Sequence, residues 1–124
     1  MSIRELLSTK NDAILGTGVS KEKIIVAESE LGHKFSDEYV EYLSTVGLAM
    51  CDGHEFTGIG KSERTDVVVV TKQMRLLKTN IPLDWYVIEE MNIDGAVIWQ
   101  NSEGHIFFNK KLEYNSLSEF LVDL

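Results

Sequence analysis

Apolar positions recur with a helical period through the first half of the chain and with a strand period in the last third. Ile3, Leu6 and Leu7 fall on one side of residues 2–8 and predict one or two helical turns. Asn11 to Gly18 reads as a connection, with Gly16 and Gly18 as breakers. Ser20 is a natural N-cap, and Glu22 stands in the first turn, where the helix dipole favours negative charge. Ile24, Ala27 and Leu31 then repeat at helical spacing, and Gly32 can end the helix in the left-handed conformation. A second helix opens on Ser36 with Asp37 and Glu38 in its first turn. Its apolar face is Tyr39, Val40, Leu43 and Val46, and Gly47 closes it.

Leu48 to Gly60 carries three glycines and predicts a loop with a short strand near residues 55–59. Residues 66–77 carry two signals. Four consecutive valines favour a strand, whereas Thr65 as cap and Val67, Val70, Met74 and Leu77 as a stripe favour a helix, which is the reading adopted. Trp85 to Glu89, Ala96 to Gln100 and His105 to Asn109 are β-rich, separated by Asn-Ile-Asp-Gly and Asn-Ser-Glu-Gly turns. Connections this short join neighbouring strands antiparallel, so a meander is expected. Ser116 and Glu119 have capping-box spacing and open a final helix through Leu117, Phe120, Leu121 and Leu124. The predicted fold class is α+β: N-terminal helices packed on an antiparallel sheet, with a C-terminal helix.

The chain has 124 residues, enough for one domain, with 44% hydrophobic and 26% charged residues, which excludes wholesale disorder. Acids outnumber basic residues 20 to 12, for a net charge of -8. That balance argues against direct nucleic-acid binding, which runs on Lys and Arg. A lone Cys51 forms no intramolecular disulfide and no zinc cluster. An early charge at Arg4 does not fit a secretory signal, and no apolar run approaches the ~20 residues that span a bilayer. The expected location is cytoplasmic, away from membranes.

Candidate chemistry is sparse. Cys51 and His54 lie three apart, but a buried structural thiol is the commoner role of a lone cysteine. His33, His54 and His105 have no metal-ligand spacing, and Gly58-Ile59-Gly60 lacks the rest of a phosphate-binding loop. No enzyme activity, cofactor or metal is therefore expected. Charge patterning is more informative. The windows 35–60 and 79–109 together hold ten of the twenty acids and none of the twelve basic residues. Besides serving solubility, such windows could form a joint negative face for a positively charged protein.

The run 24–42, with Ala27-Glu28, Leu31-Gly32 and Phe35-Ser36-Asp37-Glu38-Tyr39, resembles the opening of SMI1/KNR4 (SUKH) domains. Ile81-Pro82, the strand 85–88, Asp94-Gly95 and Ser116-Leu117-Ser118-Glu119-Phe120-Leu121 resemble their C-terminal part. Phe35-Ser36 stands in place of a usual Leu-Pro, and Thr45-Val46-Gly47 in place of a frequent Asn-Gly-Gly. The similarity covers about residues 20–124 of one domain, with residues 1–19 as an N-terminal helical extension. It implies an α+β fold and, as in bacterial single-domain members, an immunity protein that neutralises a polymorphic toxin; many such toxins are nucleases. A regulatory or scaffold module without a toxin is the alternative that the resemblance allows. Basic clefts bind phosphate, so an acidic binder suits such a partner. The acidic windows supply the candidate contacts Asp52, Glu55, Glu89, Glu90, Asp94 and Glu103, with Trp99 or Tyr86 as aromatic anchor. Glu38 and Glu41 are weaker candidates, since capping and solubility explain them, and the sequence leaves oligomeric state open.

Overall fold

The computed structural model describes residues 1–60, 62–91 and 95–124. Helix α1 spans Ile3–Ser8 and starts from a capping box in which Ser2 and Glu5 each receive the other's backbone N–H. Its Ile3 and Leu7 are buried, so these first residues belong to the core. Strand β1, Ile14–Leu15, follows. Ser20 and Gly32 bound α2, Lys21–Leu31, as expected, with Gly32 in the left-handed region. Ser36 caps α3, Asp37–Thr45.

The short strand expected near residues 55–59 is β3 (His54–Phe56), and the loop expected before it forms a second strand, β2 (Ala49–Cys51), so the two make a hairpin. With β1 it forms a three-stranded antiparallel sheet in the order β1-β2-β3. A 3-10 turn, Glu63–Thr65, leads to α4, Val67–Leu77. The helical reading of the valine run is therefore right, but the cap is Asp66 rather than Thr65: its carboxylate accepts from Val68 and Val69 N–H. The meander is β4 (Tyr86–Glu90), β5 (Val97–Gln100) and β6 (Ile106–Phe108). A fourth antiparallel strand, β7 (Lys111–Tyr114), extends it, giving the order β4-β5-β6-β7. Helix α5, Leu117–Val122, closes the chain. Ser116 caps it, but the Glu119 carboxylate bonds Asn115 N–H, so the expected capping box is only half formed. The fold is α+β with two antiparallel sheets.

Alternate residues of a strand point to opposite faces. Tyr86, Ile88, Ile98 and Ile106 join α1, α2, α3 and α5 in the main core. Trp85, Val87, Val97 and Trp99 pack with Val70 and Met74 of α4 in a second cluster. The strands β4 and β5 are thus covered on both sides.

Three backbone segments cross at Gly58. Its N–H bonds Thr65 O at 2.9 Å, and its carbonyl accepts from Val67 N–H at 2.8 Å. A Cβ there would stand 1.7 Å from Gly47 O. Gly58→Ala should therefore cost about 3 kcal/mol, the upper end for overpacking, because backbone rather than a flexible side chain must yield. Urea unfolding at constant m-value measures it.

Candidate functional site

The two expected aromatic anchors are interior. Tyr86 is 0% and Trp99 1% exposed, so neither presents a surface to a partner in this fold. Glu89 is likewise 4% exposed. A bulge at Ile88 shifts the register of β4 against β5, and bulges re-aim the side chains beside them. His54 Nδ1–H donates to both Glu89 oxygens, at 2.9 and 3.0 Å, and Glu55 N–H adds a third bond at 3.3 Å. Glu89 is therefore a structural carboxylate that fastens β3 to β4. Cys51 is buried opposite His54 in the hairpin, and burial, reinforced by Asp52, pushes its thiol pKa up. A protonated thiol is a poor nucleophile.

The remaining candidates divide between separate places. Asp52 sits in the β2–β3 turn at φ 53°, accepting from Asn11 Nδ2 at 3.3 Å. Glu55 is paired with both guanidinium nitrogens of Arg64, which hold its carboxyl pKa down. Glu90 is exposed at the far end of β4, and Asp94 lies outside the described residues. Glu103 is exposed in the β5–β6 turn, at the other end of the sheet. Tyr86, beside that turn, and Glu90 are separated by about 13 Å of strand. Glu55 and Glu90 line one pocket while Glu103 stands at the other end of the sheet, so the described candidates do not converge on one face.

One end of the sheet nevertheless collects acids from both windows. The end carrying Glu103 also gathers Asp84, Asp37 and Glu38. Asp84 Oδ2 accepts from Ser102 N–H and Oγ–H, at 3.4 and 2.9 Å, and so ties the loop before β4 to the β5–β6 turn. Ser36, next to Asp37, is fixed to the sheet by a buried network. Its N–H donates to Tyr86 Oη (3.0 Å), and both its hydroxyl and that of Tyr86 donate to Gln100 Oε1 (3.1 and 2.9 Å). Gln100 Nε2 then donates to Gly104 O at 3.0 Å. Glu38 reaches across to α5, accepting from Leu117 N–H, Ser118 N–H and Ser118 Oγ–H at 2.8, 3.1 and 2.9 Å. Burial raises the Tyr86 pKa, and the nearby Glu38 and Asp84 carboxylates add to that effect.

The opposite end carries Lys110 in the β6–β7 turn and Lys111 at the start of β7, beside the exposed Glu90 end of β4, and Lys78 Nζ donates to Gly95 O at 3.1 Å. Two of the four acids at the Glu103 end, Asp37 and Asp84, were within the sequence windows but not singled out. Only the fold shows that they share a rigid frame with Glu103.

Among the described residues no cluster of His, Cys, Asp and Glu is arranged to hold a metal. The cavity enclosed by Leu7, Tyr39, Tyr42, Phe56, Ile88, Leu117 and Leu121 is about 10 Å³, room for one water at most. No described helix is long and apolar enough to cross a membrane. A family model described as SMI1-KNR4 cell-wall matches residues 2–124. A search among curated proteins returned no match.

Proposed function

Because the chain belongs to the SMI1-KNR4 (SUKH) family, a protein-binding module of that type, we propose that it is an immunity protein for a basic toxin, neutralising it by noncovalent occlusion rather than by catalysis. A nuclease is the toxin class that suits it best, because a phosphate-binding cleft is basic. The observation that carries this reading is the acidic end of the β4–β7 sheet. Asp37, Glu38, Asp84 and Glu103 come from three segments that hydrogen bonds lock together. Asp37 and Glu103 are both exposed. Charges held on a rigid frame lose little freedom on docking, and a field of one sign speeds encounter with the opposite sign. A domain of this size can cover a cleft through an interface of ordinary area.

Co-expression with basic nuclease toxin domains tests the proposal. The wild-type chain should restore growth, and Asp37→Lys with Glu103→Lys should lose most of that protection. Neither carboxylate caps another element, so the double variant should fold with only the small helix-dipole cost at Asp37. Undiminished protection by the folded double variant would defeat the acidic-end mechanism.

A further inference from the structure

The corner where α4 gives way to β4 holds five apolar residues within eight positions: Leu76, Leu77, Ile81, Pro82 and Leu83. Leu76, Leu77 and Leu83 are 88%, 72% and 79% exposed. A leucine left in water forgoes the gain of burying it. Of the three, Leu83 is the one joined to the acidic end, since it precedes Asp84.

The Leu83 backbone is firmly held. Arg75 Nη2 donates to Leu83 O at 2.6 Å and to Trp85 O at 3.3 Å, and Nη1 reaches Leu31 O at 3.5 Å. The same Nη2 faces His33 Nε2 at 3.0 Å. Among its described contacts this guanidinium meets carbonyls and an imidazole, not a carboxylate, and burial lowers its pKa. Its charge is spent on pinning a loop. On the other side, Asp84 grips Ser102, and Glu103 follows at once. Leu83 is therefore an exposed apolar side chain on a clamped backbone, with acids on the adjoining loops. Lys78 stands within the corner itself, its Nζ donating to Gly95 O at 3.1 Å, and Lys34 is next to His33. A rigid apolar centre with a charged rim is the usual form of an energetic anchor in protein interfaces.

We propose that Leu83 is the apolar anchor of the acidic-end interface, with Arg75 as its positioning residue. The partner presents there an apolar side chain flanked by Lys or Arg, whose cations meet Asp84 and Glu103. The proposal rests on the acidic-end reading above and specifies the chemistry of the segment that docks.

Two synthetic peptides of alternating Lys and Arg, one with a central Phe and one with a central Ser, test it by NMR titration of the full chain. The Phe peptide should bind and shift the amides of Ile81, Leu83–Trp85, Ser102 and Glu103. The Ser peptide should bind about tenfold more weakly, as expected for loss of one anchor contact. Leu83→Ala should cost the Phe peptide the same tenfold with its melting temperature unchanged, and Leu83→Met should restore binding. Arg75→Lys should speed amide exchange at Leu83–Trp85 and weaken the Phe peptide with Leu83 still present. Equal affinity for the two peptides, no binding at millimolar Phe peptide, or indifference to Leu83→Ala would overturn the assignment. If Asp37→Lys with Glu103→Lys weakens both peptides while Leu83→Ala does nothing, the anchor falls and the acidic-end reading stands. If none of these changes matters, both fall.

Discussion

Trp99→Ala should destabilise the protein by about 3–5 kcal/mol, as expected for deleting a fully buried indole. Trp99 lies in a row across the sheet, opposite Val87 on β4 and Phe107 on β6. Its ring tilts against Trp85 at 6.1 Å, and Val70 and Met74 of α4 close over the same cluster. Truncation would leave a cavity bounded by a helix and a sheet that are anchored elsewhere and cannot collapse freely. Against a typical total stability of about 5–15 kcal/mol, the melting temperature should fall by roughly 12–20 °C. Trp99→Phe should show a smaller loss and keeps the comparison open if the alanine variant does not fold. A contact residue would behave in the opposite way, with normal stability and weakened binding. Unchanged urea unfolding of Trp99→Phe and Trp99→Ala would contradict the interior assignment.

Alkaline pH should unfold the chain through three buried phenols. The Tyr39 ring packs 5.4 Å from that of Tyr42 and 5.0 Å from that of Tyr86. Tyr39 Oη is hydrogen-bonded to Thr57 Oγ1 at 2.8 Å, and Tyr42 Oη donates to Thr57 O at 2.6 Å. Burial is the main cause that raises all three pKa values. In the unfolded chain these groups ionise near pH 10, whereas the native state keeps their protons. The native state then binds more protons than the unfolded state, so stability falls as pH rises. The contribution is fully present below about pH 9, and above pH 10 each phenol removes about 1.4 kcal/mol per pH unit. Urea unfolding across this range, followed together with phenolate absorbance, should show the loss of stability and the appearance of phenolate to be one event. Tyr42→Phe should make the slope shallower. Phenolate formed in a protein that keeps its full stability would contradict the burial of these rings.

The helices were legible because their ends are written in local chemistry: Ser20, Ser36 and Ser116 cap, and Gly32 stops. The valine run became a helix because Asp66 caps it and α4 can bury Val67, Val68 and Val70 together. The missed strands lack such signals. Ile14–Leu15 is too short for a period, and Ala49-Met50-Cys51 has weak strand propensity. Lys111–Tyr114 is an edge whose first three residues are exposed, so no apolar face marks it. The candidate contacts failed for a different reason. Tyr86 and Trp99 look like anchors only if a face of the sheet is open; the main core with α3 covers Tyr86, and α4 covers Trp99 on the other face. The partner of Glu89 is His54, 35 residues away. Charge counting found the acidic segments, but which sheet end each acid occupies depends on strand direction and turn pairing.

Association kinetics with the toxin domain test the central claim most directly. The wild-type on-rate should fall steeply as salt is raised, since long-range attraction is screened. Asp37→Lys with Glu103→Lys should lower the low-salt rate about tenfold or more and flatten its salt dependence. Glu63→Lys with Glu90→Lys changes net charge by the same amount away from the acidic end and should leave most of the rate intact. Equal losses from the two pairs, or a wild-type rate indifferent to salt, would contradict capture through the acidic end of the sheet.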